Sequence, residues 1–279
     1  MTNNPKATII GCGYVGSLVA CIWSDLGLDV TVTTTTPERV SALESIANHV
    51  IVLQGNNPEK LTQALQGQEI VLVTVGAKQR DSGGYRLAYL ETAQTLATVL
   101  PRIPTVQQVI YTSSYALYGD HQGATVDETT PTRPMNENGQ VLQETEQVLL
   151  QMANDQLKVC ILRLGGIYGP DRELLKIWRR VAGTTRPGDG SDPTNWIHRD
   201  DIAGMIEFVR RYRLSGIYNV VDDSELTLKE LIDAICEKYN LEKVTWDTSQ
   251  ASNRPYRVRV SNQKLHHAGY QLLHPQMEI

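Results

Sequence analysis

The stretch Ile9-Ile10-Gly11-Cys12-Gly13-Tyr14-Val15-Gly16 carries three glycines in the pattern Gly-x-Gly-x-x-Gly. It follows an apolar run that we predict to be a strand, and it opens a segment to Leu26 whose apolar residues recur at helical spacing. Between a strand and a helix, the first glycine allows a tight turn, the second lets the backbone approach a pyrophosphate, and the third lets the helix pack closely. The helix N-terminus then offers N–H groups and partial positive charge to phosphates. The stretch therefore predicts a dinucleotide-binding site.

Composition places the chain among ordinary globular proteins. It has 279 residues, 41% hydrophobic and 20% charged residues, and a net charge of -5. The acidic balance and the lack of a basic run argue against nucleic acid as the main partner. No apolar stretch reaches membrane-spanning length, and the polar start Thr2–Pro5 does not resemble a signal peptide. We expect a cytoplasmic protein that binds neither nucleic acid nor membrane.

The four cysteines, Cys12, Cys21, Cys160 and Cys236, are scattered without metal-ligand spacing. We predict buried thiols in a reducing compartment and no metal site. His198 precedes Arg199, Asp200 and Asp201, and we interpret it as a hydrogen-bond partner within the fold. The two aspartates are candidates to cap a helix that begins at Ile202.

Strand and helix patterns alternate through the first half of the chain, which is typical of a parallel sheet covered on both faces. We predict that residues 1–165 form a dinucleotide-binding domain with a doubly wound parallel (Rossmann) sheet, an α/β fold. Residues 166–279 are predicted to form a smaller substrate-binding lobe, part of which returns to the sheet. The predicted strands are 7–10, 28–33, 50–53, 69–75, 106–112 and 159–163; the predicted helices are 14–26, 37–46, 58–65, 85–100, 140–154, 174–181, 202–212 and 228–239.

Two local signals predict helix starts. Thr36-Pro37 is an N-cap followed by proline at the first helical position, and Thr227 with Glu230 forms a capping box. The stretch 120–138 is too long to be a plain connection, so we predict that it is functional or packs over a site.

Several later segments add a resemblance. Thr112–Gly119 is similar to the Ser-Ser-x-x-x-Tyr-Gly segment of the extended short-chain dehydrogenase/reductase superfamily, which includes nucleotide-sugar epimerases and dehydratases. The glycine turn resembles that superfamily's cofactor turn. Its later signatures are matched by Leu162–Pro170, Asn195–Asp201 and Ile217–Asp223, and Tyr118–Asp120 with Asp127–Pro131 resembles an atypical branch. The resemblance implies NAD(P) as cofactor and a nucleotide sugar, or another hydroxylated small molecule, as substrate. It also implies a monomer or a homodimer paired through helices that include 140–154.

The sequence departs from this superfamily at its catalytic pair. The resemblance implies a Tyr-x-x-x-Lys motif, in which tyrosine is the general acid/base and lysine lowers the pKa of the tyrosine hydroxyl. When the helix is aligned with the superfamily on Glu146, Asn138 falls at the tyrosine position and Leu142 at the lysine position. An amide does not exchange protons at neutral pH, and leucine cannot shift a neighbour's pKa.

Two hypotheses follow for the catalytic site. In the first, Ser114, which falls on the superfamily's catalytic serine, polarises the substrate and another group supplies the base. The candidates for that base are Tyr115, Tyr118, His121, Glu128 and Tyr168, of which we assign Tyr118 to the site with Ser114. In the second, the protein binds cofactor without turnover and acts as a sensor or regulator.

The cofactor assignment rests on the end of the second strand. An NAD enzyme commonly has an acidic residue there for the ribose hydroxyls, whereas this chain has Thr33–Thr36, Glu38 and Arg39. Hydroxyls and a guanidinium accept a 2′-phosphate, so we expect NADP to be preferred over NAD. The predicted cofactor-binding residues are Gly11, Cys12, Gly13, Tyr14, Val15, Gly16, Thr33, Thr34, Arg39, Asn56, Val75 and Gly76.

Overall fold

A computed structural model of the protein describes residues 4–279. The strands in this range are β1 Lys6–Ile10, β2 Asp29–Thr34, β3 His49–Val52, β4 Ile70–Val73, β5 Gln108–Ser114, β6 Thr125–Val126, β7 Lys158–Leu164, β8 Gly166–Tyr168, β9 Thr185–Pro187, β10 Trp196–His198, β11 Gly216–Val220, β12 Thr245–Asp247 and β13 Arg259–Val260.

The α-helices of the same range are α1 Tyr14–Asp25, α2 Val40–Glu44, α3 Pro58–Leu65, α4 Ser82–Tyr85, α5 Glu91–Val99, α6 Glu137–Gln151, α7 Leu174–Trp178, α8 Arg199–Tyr212, α9 Leu228–Lys238 and α10 Gln263–His267. Short 3-10 turns cover Pro37–Arg39, Leu100–Arg102, Tyr115–Tyr118 and Arg179–Val181. A π-helical turn, Arg86–Leu90, joins α4 to α5.

Seven strands form a mostly parallel central sheet in the order β11-β7-β5-β4-β1-β2-β3. The strand β1 pairs in parallel with β2 on one side and with β4 on the other. The strand order therefore reverses between β1 and β4, and ligands of doubly wound folds bind at such switch points, beyond the carboxyl ends of the strands. The predicted fold class, a doubly wound α/β sheet, is confirmed.

The inner strands are buried on both faces, which explains their unbroken apolar runs. All four residues of β4, Ile70–Val73, are buried, as are Ala7–Ile10 of β1. Apolar residues of β4, β5 and β7 pack with helices α3, α5 and α6 in one core, whose members include Leu61, Val71, Leu96, Val109, Leu149 and Ile161. This core fixes the positions at which the strands end, and hence the positions of the loops that follow them.

The chain divides into two compact units. The first contains residues 1–114, 136–163 and 203–218, of which the structure describes those from 4 onward, and the second contains residues 115–135, 164–202 and 219–279. The predicted division at residue 165 is simpler than this, because 115–135 belong to the second unit and 203–218 to the first. Within the second unit, three parallel strand pairs form, β8 with β10, β9 with β12, and β6 with β13.

Two predicted helix starts need correction. Thr36 is at the N-cap and Pro37 opens the first turn, as predicted, but Thr36 makes no side-chain cap and the turn is a 3-10 turn that passes into α2. Asp200 and Asp201 do not precede their helix, because α8 begins at Arg199 and places both in its first turn.

Among residues 4–279, no helix combines the length and the apolar character that a membrane span requires. None of the four cysteines, all of which are described, forms a disulfide; Cys12, Cys160 and Cys236 are buried.

Candidate functional site

The glycine turn lies at the end of β1, beside the end of β4. Gly11 has a φ of +88°, a conformation that favours glycine. A Cβ at Gly11 would lie 2.7 Å from Val75 Cα and 2.9 Å from the Thr74 carbonyl oxygen, so a side chain does not fit there. A Cβ at Gly16 would lie 2.9 Å from the Gly11 carbonyl oxygen. These two glycines are therefore required by the close approach of the turn, the helix and the neighbouring loop.

Gly13 and Gly76 differ from these two. No described atom lies within 4 Å of a Cβ built at either residue, apart from chain neighbours. Gly13 immediately precedes Tyr14 at the start of α1, and Gly76 follows β4. The backbone is thus open at the helix N-terminus, where a phosphate group is stabilised by N–H groups and the helix dipole. Cys12 and Val15, by contrast, are buried within the turn.

Threonines at the end of β2 hold the turn in place. Thr33 Oγ1 accepts a hydrogen bond of 3.1 Å from the Gly11 N–H, and the Thr33 carbonyl accepts one of 2.9 Å from the Cys12 N–H. Thr34 Oγ1 accepts from the Thr36 N–H at 3.1 Å. Thr33 and Thr34 are both buried. Their hydroxyls therefore shape the backbone around the predicted cofactor position.

Two cationic side chains lie at this end of β2. Arg39 Nη1 donates a 2.7 Å hydrogen bond to the Cys12 carbonyl oxygen, which holds the exposed guanidinium against the glycine turn. Lys78 Nζ donates to Thr36 Oγ1 at 3.0 Å. The sequence had singled out Arg39 but not Lys78, because Lys78 comes from the loop after β4 and only the sheet order brings it to β2.

Asn56 and Val75 take different positions in the same unit. Asn56 Nδ2 donates to Glu91 Oε2 at 2.9 Å, so the first residue of α5 orients the amide. Val75 is half-buried and is the second residue after β4.

Ser114 ends β5 and is half-buried. Its neighbour Ser113 is buried and donates a 2.6 Å hydrogen bond to Glu146 Oε1. Glu146 is also bound by Arg163, whose Nη2 lies 2.7 Å from Oε2 and whose Nε lies 3.1 Å from Oε1. Glu146 and Arg163 are 3% and 4% exposed. This buried network ties together β5, α6 and β7 at the base of the segment that carries Ser114.

The positions that correspond to the superfamily's catalytic pair lie on α6. This helix begins at Glu137, three residues earlier than predicted, because Asn136 caps it by accepting from the Gly139 N–H at 2.9 Å. Asn138 Nδ2 donates to the Arg80 carbonyl at 2.9 Å. Leu142 is 8% exposed. Neither side chain has a titratable group.

Tyr118, assigned with Ser114 to the catalytic site, is in the second unit. It is fully buried, and its hydroxyl donates to Asn219 Oδ1 at 2.9 Å. The backbone N–H of Asn219 in turn donates to Glu128 Oε1 at 2.7 Å. The hydrogen bond to Asn219 favours a structural role for the Tyr118 hydroxyl. The Glu128 carboxylate is already bound by the Asn219 backbone N–H.

The other candidate bases also lie in the second unit. Burial raises the pKa of Tyr115, although the charge of Arg254 opposes the shift, and burial raises the pKa of Tyr168. Both phenols therefore remain protonated at neutral pH. His121 Nε2 is buried and has no hydrogen-bond partner among the described residues.

Arg254 was not singled out by the sequence. It is half-buried in the second unit, and its Nη1 is buried without a hydrogen-bond partner in the described range. A guanidinium in such a position is suited to an anionic group. The sequence shows Arg254 in a polar stretch of ordinary appearance, so only its burial distinguishes it.

Comparison with known proteins identifies the family. The NAD dependent epimerase/dehydratase family matches residues 7–220. Protein YeeZ of Escherichia coli is 34% identical over 225 residues, which cover 77% of each chain. The UDP-Glc/GlcNAc 4-epimerase of Campylobacter jejuni has a similar structure, with a TM-score of 0.79, 18% identity, and 96% and 94% of the two chains covered. The dTDP-glucose 4,6-dehydratase of Streptomyces venezuelae gives a TM-score of 0.78 at 19% identity, with 98% and 93% covered. The match to the family spans more than two thirds of the chain, and the chain belongs to the NAD-dependent epimerase/dehydratase family.

Proposed function

We propose that this protein is an NAD(P)-dependent oxidoreductase of the epimerase, dehydratase or reductase type, acting on a nucleotide sugar or a similar hydroxylated small molecule through a non-standard active site. The observation that carries the proposal is the glycine turn at the sheet's switch point. A Cβ would clash with neighbouring atoms at Gly11 and Gly16, whereas a Cβ at Gly13 would have no described atom within 4 Å apart from its chain neighbours. That combination suits the pyrophosphate of a dinucleotide at the N-terminus of α1.

For the cofactor we propose NADP in preference to NAD. Arg39 binds the Cys12 carbonyl and Lys78 binds the Thr36 hydroxyl, so two cations lie at the end of the strand where a dinucleotide's adenosine ribose binds. Hydrogen bonds from cations to a phosphate are stronger than those between neutral groups. Glu38, the carboxylate next to Arg39, is exposed within the 3-10 turn.

Thermal protection by the two cofactors tests this preference. NADPH is expected to raise the melting temperature more than NADH at equal concentration, because a ligand bound only by the folded state stabilises it by mass action. Arg39→Ala and Lys78→Ala are each expected to weaken NADPH binding by about tenfold, the effect of losing about 1.5 kcal/mol of charge-assisted hydrogen bonding, and to leave NADH binding nearly unchanged. Arg102→Ala, which removes an exposed cation after α5, is the control. Equal protection by both cofactors, unchanged in both variants, would disprove the NADP preference.

A nucleotide sugar is proposed as substrate on two grounds. The structurally similar enzymes include a UDP-Glc/GlcNAc 4-epimerase and a dTDP-glucose 4,6-dehydratase. In this chain, Arg254 has a buried guanidinium nitrogen with no hydrogen-bond partner among residues 4–279. A nucleoside diphosphate group supplies the anionic oxygens that such a guanidinium binds best.

For the reaction, we propose that Ser114 polarises the reacting oxygen and that the base comes from outside α6. His121 is the strongest of the candidates for that base, because its Nε2 makes no hydrogen bond within the described chain. The Glu128 carboxylate is occupied by Asn219, and the Tyr115 and Tyr168 hydroxyls have raised pKa values. Histidine is also the side chain whose ordinary pKa lies closest to neutral pH.

The alternative function is a catalytically silent NADP(H) sensor. It is favoured by α6, where the amide of Asn138 is bound to the Arg80 carbonyl and Leu142 is buried, so that the usual catalytic pair has no replacement at its own positions.

Incubation with a panel of nucleotide sugars separates the two functions, with sugar products detected by chromatography and any net oxidation or reduction of the cofactor followed by nicotinamide absorbance. As an enzyme, the protein is expected to convert at least one substrate, and Ser114→Ala is expected to lower kcat by about 10²-fold, as the loss of one polarising donor does elsewhere. Ser45→Ala, an exposed serine at the end of α2, is the matched control. Absence of turnover in the parent, combined with activity in the Asn138→Tyr, Leu142→Lys double variant, would establish the silent alternative. Circular dichroism of that variant is needed as a folding check, because Leu142→Lys introduces a charge at a site that is 8% exposed.

A further inference from the structure

A group of ionisable side chains in the second unit contains no residue that was assigned above to the cofactor or the substrate. His198 ends β10, Asp200 is in the first turn of α8, and His274 comes from the C-terminal segment. Asp200 Oδ2 lies 3.7 Å from His198 Nδ1 and 3.7 Å from His274 Nε2. The three candidate ligand atoms all lie within 4.8 Å of one another.

These separations are close to those around a bound metal ion. Zinc binds histidine nitrogen and carboxylate oxygen at about 2.0–2.2 Å in tetrahedral sites, which places neighbouring ligand atoms about 3.4 Å apart. Both distances from Asp200 Oδ2 exceed that value by only a few tenths of an ångström. The two imidazole rings have centroids 3.8 Å apart and an interplanar angle of 37°. Because the nitrogen lone pairs lie in the ring planes, the rings must move apart for both nitrogens to bind one ion.

Hydrogen bonds already orient the two rings. His274 Nδ1 lies 2.6 Å from Glu278 Oε1, and Nε2 is the nitrogen that faces Asp200. A metal-binding histidine commonly has a carboxylate on its remote ring nitrogen, which fixes the ring orientation. His198 Nδ1 accepts the Asp200 backbone N–H at 3.2 Å. A metal ion would replace this long hydrogen bond.

We propose that His198, Asp200 and His274 form a binding site for a divalent transition metal, for which Zn²⁺ is the best fit. Two imidazoles and one carboxylate suit zinc, and three protein ligands leave the fourth tetrahedral position to water. Asp201 and Glu278 add negative charge nearby, and Arg199 Nε, 3.7 Å from Asp200 Oδ1, offsets part of it. The ion would fasten the C-terminal segment to the start of α8 within this unit.

The spacing of residues along the chain conceals this site, which is why the sequence predicted no metal. His198 and Asp200 are two positions apart, but His274 lies beyond α10, near the end of the chain. The segment that carries His274 is held by Asp201, which accepts the Leu273 and His274 backbone N–H groups at 2.6 and 2.9 Å. Asp201 is fully buried.

Titration of the EDTA-treated, dialysed full-length protein with Zn²⁺ by calorimetry tests the site. We expect one saturable equivalent, a rise in melting temperature with Zn²⁺, and a visible absorption spectrum of tetrahedral type with Co²⁺. His274→Ala and Asp200→Asn, both at partly exposed positions, are expected to abolish the saturable binding. Glu278→Gln is expected to weaken it by about 10–100-fold, the usual effect of removing the carboxylate that binds a metal-binding histidine's other nitrogen.

His267→Ala removes an exposed histidine from the end of α10 and is the matched control, expected to bind as the parent does. Circular dichroism verifies the folding of each variant. The proposal is overturned if the parent shows no saturable equivalent, or if the equivalent survives in both folded His274→Ala and Asp200→Asn variants.

Discussion

Replacing Glu146 with alanine is expected to lower the free energy of unfolding by about 3–5 kcal/mol, the range seen when one partner of a buried ion pair is removed. The cause is Arg163, whose guanidinium is 4% exposed and binds the carboxylate through two nitrogens, the closest contact being 2.7 Å. Ser113 loses its acceptor in the same variant. Urea unfolding followed by circular dichroism measures the effect, and a fall in melting temperature of about 10 °C corresponds to it in a chain of this size.

Two further variants make this expectation specific. Glu144→Ala, on the same helix, removes a half-exposed carboxylate whose contact with Arg86 is 3.9 Å long, and is expected to cost less than about 1 kcal/mol. The double variant Glu146→Leu, Arg163→Met is expected to recover most of the stability lost in Glu146→Ala, because apolar residues of similar volume often replace a buried pair without loss. If Glu146→Ala and Glu144→Ala lose equal stability, the buried pair has no special importance for this unit.

Local patterns were sufficient to predict the α/β sheet. The glycine turn, the unbroken apolar run of β4 and the capping box at the start of α9 are all signals between residues close in sequence. The structure contains the predicted capping box, with Thr227 Oγ1 accepting the Glu230 N–H and the Glu230 carboxylate accepting the Thr227 N–H. These local signals predicted the structure correctly because no tertiary contact in the described range imposes a different conformation on the residues that carry them.

Local patterns do not predict a segment's conformation where contacts with residues distant in sequence determine it. The segment 85–100 was predicted as one helix, but α4 and α5 are joined by the π-helical turn Arg86–Leu90. The periodicity of apolar residues does not distinguish an inserted π turn from a regular helix. Thr36 has the composition of a helix cap, yet its hydroxyl accepts from Lys78, a residue 42 positions later. Long-range placement of this kind cannot be read from spacing.

The same distinction applies to the candidate site. Its glycines were predictable because the Gly-x-Gly-x-x-Gly pattern stands between a strand and a helix that are both visible in the local sequence. Lys78, Arg254 and His274 were not, since each reaches its neighbours through the topology. The departure at Asn138 and Leu142 was visible in the sequence, whereas the contacts that hold them, the Arg80 carbonyl and the core of α6, were not.

A second large effect is expected at Asp222, a carboxyl group that folding places in an unfavourable environment. It is 9% exposed, Oδ1 accepts the Ser224 N–H at 3.1 Å, and Oδ2 is buried with no hydrogen-bond partner among residues 4–279. Burial, assisted by the negative charges of Asp223 and Asp201, raises the pKa of Asp222 from 3.8 to about 7. The folded state therefore keeps a proton that the unfolded state releases between these two values. Consequently the free energy of unfolding that depends on Asp222 falls as the pH rises from about 4 to about 7. Above pH 7 the destabilisation by Asp222 is complete and stays constant.

Asp222→Asn removes this titration while keeping the shape of the side chain. The stability of the variant relative to the parent is expected to increase by about 2–3 kcal/mol between about pH 5 and about pH 8.5, with most of the change below pH 7. Urea unfolding at a series of pH values measures this difference. Asp223→Asn is the control: that carboxylate is half-exposed, binds His266 at 2.9 Å and Asn262 at 2.7 Å, and its removal is expected to destabilise the protein. A pH-independent difference between Asp222→Asn and the parent would mean that the Asp222 carboxyl titrates normally in the folded protein, and that its burial carries no electrostatic cost.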